Sequence, residues 1–353
     1  MYFSSDVAGG EYHVWRQAFP SGQPEQITFG PTEQEGTAIT PDGRYLITSM
    51  GLQRASLILH DKDTSKPLTD EGFAMQPVLT AAGDRLFYVL RSAASRGRAT
   101  GELWSLDVAN GGKQQLFPGL IVSSYSVHRD GEHVLFTSVG HEGGDGLFLG
   151  NTALRESPRR LVAGNDIRGF FGGDAVVYRD TDGRIKRMRL DGSDAQTVAP
   201  QETSSLIAVS PDGAWASVTV PTDASTLGWQ FLSLTGGPPF QACERCASGP
   251  TFYLNNAFGL WNSTGTELFV WYFGSVADRR TIVLPYKSGV PLEKQWPTRL
   301  ATAQDALAAP GAHVLDAVSS LLPGSTYPGA GRDQYIHRQV GIQSNLYRVR
   351  LPQ

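Results

Sequence analysis

Cysteine is nearly absent from this chain of 353 residues: there are two, Cys243 and Cys246, in the stretch ACERCASG. A structural zinc site takes four ligands, and neither a second cysteine pair nor histidines at ligand spacing accompany this one. The pair reads as a loop pair, free or joined as a small disulfide. Long apolar runs are missing as well; none approaches the roughly 20 residues of a membrane-spanning helix. The opening MYFSSDVAGGEY has neither the basic segment nor the apolar stretch of a signal peptide. A basic excess is missing too, since the net charge is −4. A nucleic-acid binder needs a basic surface to displace counterions, so none is expected as a partner.

Catalytic signatures are equally scarce. No G-x-S-x-G nucleophile turn occurs. The seven histidines (His13, His60, His128, His133, His141, His313 and His337) are spread along the chain without H-x-H or H-E-x-x-H spacing, and read as strand and turn histidines. DTDGR from Asp180 begins like a calcium loop, but the later ligands and closing glutamate do not follow, so it reads as a hairpin tip. HEGGDG from His141 reads as a flexible loop between strands. FVWYF (Phe269 to Phe273) reads as core packing rather than a pocket lining. The expectation is therefore no catalytic residue, no cofactor and no metal.

What the chain does have is turns and alternation. Hydrophobic residues make up 40% and charged residues 18%, enough for a core, and 40 glycines and 21 prolines are spread throughout. TPDGRYLITSM from Thr40, AAGDRLFYVL from Ala81, HRDGEHVLFTSV from His128 and SPDGAWASVTV from Ser210 share one outline. Pro-Asp-Gly suits a hairpin: proline presets φ, aspartate bonds the local backbone, and glycine accepts positive φ at the exit. The turn residues singled out are Asp42, Gly43, Gly83, Asp130, Gly131, Asp212 and Gly213. With Gly173 and Gly265 added, the turn glycines recur at intervals of 40 to 52 residues, the size of one four-stranded propeller blade.

These features predict an all-β chain, a single β-propeller over 1–353 with seven or eight four-stranded blades. The blades fall at 36–70, 74–117, 120–163, 165–199, 204–241 and 250–287, with a C-terminal blade at 310–353. Residues 1–31 form a partial blade lacking its first strand. Two closures fit: either Pro24 to Phe29 completes the C-terminal blade, or eight blades form and the first lacks its innermost strand. TRLATAQDALAAPG is alanine-rich and predicts one short inserted helix near 298–309, ended by Pro310 and Gly311. In this reading YLITS and SLILHD are second and third strands of one blade separated by a polar loop. AHVLDA is the first strand of the last blade. The register suggests that the chain begins inside a domain.

The PDG turns with their trailing strands resemble the WD40-like (PD40) repeat of TolB-like propellers. The stretch from Phe3 to Asp61, FSSDVAGGEYHVWRQAFPSGQPEQITFGPTEQEGTAITPDGRYLITSMGLQRASLILHD, and the ending QSNLYRVRLP resemble propeller regions carried C-terminally by bacterial serine/threonine protein kinases. That resemblance implies a sensor or interaction module of a membrane-anchored parent, on its extracytoplasmic side; a chain complete as it stands would be cytoplasmic. No Gly-rich phosphate loop, H-R-D or D-F-G is present, so kinase activity carries over to no residue here. The expected function is a non-catalytic, monomeric propeller binding a protein, peptide or small ligand. The alternatives are a propeller hydrolase or lyase with its site at the central funnel, and a structural spacer.

Overall fold

The repeated turn has a repeated set of hydrogen bonds. The Gly43 amide donates to the Thr40 carbonyl at 2.8 Å, and the Thr40 amide to the Tyr45 carbonyl at 2.9 Å. The same two bonds recur at Thr80/Gly83/Arg85, His128/Gly131/His133, Ser210/Gly213/Trp215 and Asn262/Gly265/Glu267. Four of these turns add a third bond, in which the short side chain at the first position accepts the amide that starts the next strand. Thr40 Oγ1 accepts from Tyr45, Thr80 Oγ1 from Arg85, Ser210 Oγ from Trp215 and Asn262 Oδ1 from Glu267. Asp42 Oδ1 accepts the Arg44 amide, and Asp212 Oδ1 the Ala214 amide. The glycines take positive φ, 71° at Gly43 and 71° at Gly213, which an L-side chain adopts only with strain.

The computed structural model describes residues 1–6, 12–29, 32–92, 95, 99–140, 144–165, 167–223, 226–248, 258–272, 280–297, 299–315 and 326–351. Strands β1 (Tyr2–Ser5), β2 (His13–Arg16) and β3 (Glu25–Gln26) form a three-stranded sheet. Next come β4 (Glu33–Ile39), β5 (Tyr45–Asp61) and β6 (Thr64–Pro67). Five antiparallel four-stranded sets follow in chain order, the first joined to β5 by a single parallel pairing of Ala55 with Phe73. They are β7 (Phe73–Leu79), β8 (Arg85–Arg91), β9 (Glu102–Asp107) and β10 (Lys113–Leu116); then β11 (Val122–Val127), β12 (His133–Ser138), β13 (Gly146–Asn151) and β14 (Arg159–Ala163). The third is β15 (Arg168–Gly172), β16 (Ala175–Arg179), β17 (Ile185–Arg189) and β18 (Gln196–Ala199). The fourth is β19 (Ser205–Val209), β20 (Trp215–Pro221), β21 (Thr226–Ser233) and β22 (Phe240–Ser248). The fifth is β23 (Phe258–Trp261), β24 (Glu267–Tyr272), β25 (Arg280–Pro285) and β26 (His313–Leu315), with helices α1 (Leu292–Gln295) and α2 (Ala303–Leu307) between its last two strands. The chain ends with β27 (Thr326–Pro328) and β28 (Gln334–Arg350).

A sixth sheet is assembled from both ends of the sequence. β27 pairs with the start of β28, β28 with the second half of β5, and that half with β6. First and second strands thus come from residues 326–340, third and fourth from residues 55–67. Six apolar clusters then fill the six gaps around a ring. Leu57 and Ile336 meet Leu79 and Leu86; Phe87 and Val89 meet Tyr125 and Phe136; Leu135 and Leu147 meet Val176 and Tyr178. Val177 and Ile185 meet Leu206 and Val218; Trp229 and Phe231 meet Trp261 and Leu268; Phe269 and Val283 meet Tyr335. The β-propeller expected from the repeats is present, with this six-sheet ring as its closed part.

Among the described residues the ring has six four-stranded sheets, not the seven or eight blades expected, because the strands at the two ends of the chain are shared differently. The polar stretch Gly51–Arg54 is not a loop between two strands. β5 runs unbroken and pairs residue for residue with β28, from Tyr45↔Arg350 to Asp61↔Gln334. Neither Gly51–Arg54 nor its partner Gly341–Ser344 holds a proline or a turn dipeptide to reverse the chain, and each finds its backbone partner in the other. The divisions 36–70 and 310–353 therefore exchange strands, and Pro24–Phe29 does not complete the last blade. His313–Leu315 is a fourth strand on β25, not the first of a new blade. The predicted helix is α2, capped by Thr302 and Asp305 in a reciprocal capping box; residue 298 lies outside the described residues.

One contact between neighbouring sheets gives a test. A Cβ on Gly43 meets nothing within 4 Å, whereas one on Gly213 meets the Gly172 carbonyl oxygen of the adjacent sheet at 2.7 Å. Gly43→Ala is expected to cost about 1 kcal/mol of backbone strain. Gly213→Ala is expected to cost about 2–4 kcal/mol, because the close approach adds to the strain. Urea titration measures both; equal losses would show that the two sheets do not meet at these glycines.

Candidate functional site

Outside the ring, two small sheets lie against each other. One is β1–β3. The other is β4, the first half of β5 and the second half of β28. Their shared core holds three buried apolar side chains, Val14, Leu46 and Leu351, with Tyr2 and Val349 packed against them. Polar bonds reinforce it: the Gln34 amide donates to the Tyr12 carbonyl at 2.7 Å, and His13 Nδ1 lies 2.8 Å from Gln34 Oε1. So small a core leaves apolar surface uncovered. Met1, Phe19, Phe29, Ile39, Leu52, Leu346 and Tyr347, the exposed large hydrophobic residues among those described, all belong to this unit or its link to the ring. Leu346 is 77% exposed and Phe19 84%.

The backbone there is open as well. β28 pairs with β5 along its whole length, but on its other side it pairs with β27 at Tyr335, Ile336 and His337 alone. From Arg338 to Arg350 that second edge has no strand partner among the described residues. Leu346 and Tyr347 stand on opposite faces beside it, since side chains alternate along a strand. β28 carries Arg338, Arg348 and Arg350 and no acidic residue, and the Arg348 guanidinium lies 4.3 Å over the Tyr45 ring.

The face of the ring that carries the PDG-type turns holds a second cluster, at HRDGEH. Here the turn departs from its four relatives, because His128 occupies the position of Thr40, Thr80, Ser210 and Asn262. Asp130 takes over the missing bond: its Oδ1 accepts the amides of Glu132 at 2.8 Å and His133 at 3.0 Å. Its Oδ2 faces His128 Nδ1 at 2.8 Å and His133 Nδ1 at 2.7 Å. Burial works to raise the Asp130 carboxyl, but the amide and ring of His133 and the amide of Glu132 outweigh it and hold the group well below the usual carboxylate range. His128 and His133 are a turn and a strand histidine, as the sequence suggests, but they belong to one repeat and share one carboxylate oxygen. The signal was in the sequence, in the replacement of a hydroxyl or amide by imidazole at a repeated position.

The other predicted residues stay apart. Asp42 and Gly43 turn the outlying sheet, and Gly83, Gly131 and the pair Asp212–Gly213 turn three separate ring sheets. Asp212 Oδ2 accepts from the Tyr286 hydroxyl at 2.8 Å. At DTDGR the Lys186 ammonium pairs with Asp180 and lies 3.6 Å from Asp182, in place of a calcium ion. Phe269 to Tyr272 are buried core; Phe273 and His141 fall outside the described residues. Cys243 and Cys246 are joined as a disulfide, not in a loop but inside strand β22. There, Leu227 pairs with Ala247 and Trp229 with Cys243, so residues 244–246 bulge opposite Gly228. A Cβ at Gly228 would meet the Glu244 carbonyl oxygen at 3.0 Å, which is why the bulge sits across from a glycine. A cavity of about 330 Å³ lined by Glu244, Arg245 and Arg299 opens beside it. Among the described residues no helix is long and apolar enough to cross a membrane.

No family model matches the chain, and no curated protein matches it by sequence. Solved structures do. A putative TolB from Agrobacterium tumefaciens aligns with a TM-score of 0.53 at 12% identity, covering 82% of this chain and 99% of that one. TolB from Acinetobacter baumannii aligns at 0.49 and 13%, covering 80% and 76%. An oligogalacturonate lyase from Vibrio parahaemolyticus aligns at 0.41 and 14%, covering 77% and 82%. The likeness to the Agrobacterium protein shows the fold, a TolB-like β-propeller. Identity this low speaks to fold alone, and the Acinetobacter and Vibrio alignments carry no argument.

The disulfide gives the test for this region. Closing so short a loop stabilises by roughly 2 kcal/mol on the loop-entropy account. Replacing both Cys243 and Cys246 by serine is expected to lower the denaturation free energy by about 1–2 kcal/mol. Added reductant should lower the parent chain's stability by the same amount and leave the double variant unchanged; a loss in both on reduction would assign the effect elsewhere.

Proposed function

We propose that this chain is a non-catalytic interaction propeller that receives a partner protein as an added strand along β28, between Arg338 and Arg350. The observation that carries this reading is the coincidence, on one small unit, of an unpaired strand edge with the exposed large apolar side chains among the described residues. Contiguous apolar surface on a soluble protein marks a contact site, and an open edge supplies backbone donors and acceptors in register. Affinity then comes from the main chain, and selectivity from alternate side chains. A partner strand that meets Leu346, Arg348 and Arg350 needs apolar and acidic residues in alternation. The ring, with apolar clusters in all six gaps, is the rigid support. This reading accords with the sensor or interaction role implied by the resemblance to kinase-borne propellers.

Peptides selected from a random library on the immobilised chain test it. They should be rich in acidic and apolar residues, and Leu346→Lys should weaken their binding at least tenfold, about 1.4 kcal/mol. Bound peptide should slow amide exchange across Asn345–Arg350. Selected peptides that bind Leu346→Lys as well as the parent chain, or that protect only ring amides, would overturn the proposal.

A further inference from the structure

We propose that the turn from His128 to His133 is a binding site for a divalent transition-metal ion of the zinc class, held by His128 Nδ1, Asp130 Oδ2 and His133 Nδ1. These three residues present ligand atoms within 4.8 Å of one another. Two imidazole nitrogens and one carboxylate oxygen are a donor set suited to such an ion, and three protein ligands leave a coordination position open. The two nitrogen–oxygen separations, 2.8 and 2.7 Å, are shorter than the roughly 3.3 Å between neighbouring ligands that a tetrahedral ion at about 2.0–2.1 Å imposes. Each ring therefore withdraws by about half an ångström when the ion enters.

Three features make this a built arrangement rather than a chance meeting of side chains. The first is that Asp130 is divided: both amide bonds go to Oδ1, so Oδ2 is held toward the rings. The second is the placement of His128. Its ring is 9% exposed, lies 4.9 Å from the Phe171 ring of the next sheet, and has no hydrogen-bond partner at Nε2. That nitrogen points to Asp174 Oδ1, 3.6 Å away on the neighbouring sheet. The Arg129 guanidinium holds the same Asp174 oxygen at 2.8 Å. A proton on Nε2 turned to a carboxylate leaves the Nδ1 lone pair for a metal, the outer arrangement that orients metal-bound histidines. The Asp130 amide also points at His128 Nδ1, at 3.5 Å, which again suits a lone pair there. The third feature is the shared oxygen. Asp130 Oδ2 lies within hydrogen-bond distance of Nδ1 of both rings, and a cation that displaces the proton between ring and carboxylate takes all three atoms as ligands at once.

The ion belongs to the boundary of two sheets, because Asp174 comes from the tight turn between β15 and β16. Its open position faces solvent on the side of His133, whose side chain is 37% exposed, so a water or a partner's side chain completes the shell.

The experiment is equilibrium dialysis of the full chain against Zn²⁺ alone, without reductant so that the Cys243–Cys246 disulfide offers no thiolate. One zinc per chain is expected at micromolar free metal. His133→Gln, at a half-exposed position, should keep the far-ultraviolet circular dichroism and lower affinity at least tenfold. Asp174→Asn, which removes only the carboxylate behind His128, should lower it about tenfold. His60→Gln, remote from the turn, should not change it. Co²⁺ should give visible d–d absorption in the parent chain and none in His133→Gln. Absence of stoichiometric zinc, or equal zinc binding by the parent chain and a folded His133→Gln, would overturn the site.

Discussion

The ring depends on one pairing, that of β5 with β28. Every other sheet of the ring is made from a local stretch of chain, each strand folding back on the one before. The sixth sheet is not: its inner pair comes from the end of the sequence and its outer pair from near the beginning. Asp61 and Gln334 are bonded through their side chains at 3.2 Å across a separation of 273 residues. Single blades of this kind expose apolar faces on both sides and are stable only between neighbours. Joining the ends turns a row of blades with two exposed terminal faces into a cycle with none. Leu57 and Ile336 contribute to one of the resulting cores and Tyr335 to another.

The same pairing creates the surface proposed to receive a partner strand. β5 and β28 are each seventeen residues long, more than a blade needs, and their excess runs beyond the ring. There they form a second sheet that, among the described residues, packs against β1–β3. The ring is closed, with an apolar cluster in each gap; the extension has three buried apolar side chains and, among the described residues, an open strand edge. Rigid support and adherent surface are thus two halves of the same pair of strands. The proposed metal site lies away from this pair of strands, on the turn face of the ring, where one copy of a repeated hairpin has exchanged its hydroxyl or amide for imidazole.

What could be read from residues alone was whatever is decided locally. The Pro-Asp-Gly turns were legible because proline, aspartate and glycine each act within four residues, and the glycine φ values reflect that chemistry. Strand membership was legible in the middle of the chain for the same reason. It failed at Gly51–Arg54 and at His313–Leu315, where the outcome depends on a partner hundreds of residues away or on which of two sheets claims a strand. Polarity at Gly51–Arg54 looked like a loop, yet polar side chains suit an exposed ribbon equally well. The cysteine pair was legible as a loop pair, free or joined, but the disulfide and its place within a strand were not, because the bulge depends on Gly228 of the neighbouring strand. An open edge leaves no mark on the strand that bears it, so the exposure of β28 could not be read at all. His128, Asp130 and His133 were readable in principle, by comparing each turn with its relatives rather than by searching for known metal spacings.

The separation of 273 residues between Asp61 and Gln334 is also an interval of time. A ribosome adds about 5–20 residues per second, so the outer strands of the sixth sheet emerge roughly 15–50 s before the strands that complete it. Secondary structure forms in microseconds. For the time it takes to add these 273 residues, then, the row of finished blades stands with both terminal faces uncovered and the edge of β5 that β28 will cover unpaired. On a crowded polysome the β28 of a neighbouring chain is chemically identical to the one still to come. Which copy arrives first is settled by the local concentration of each, and that makes the length of the wait, rather than the strength of any contact, the quantity that separates a closed ring from an exchanged pair.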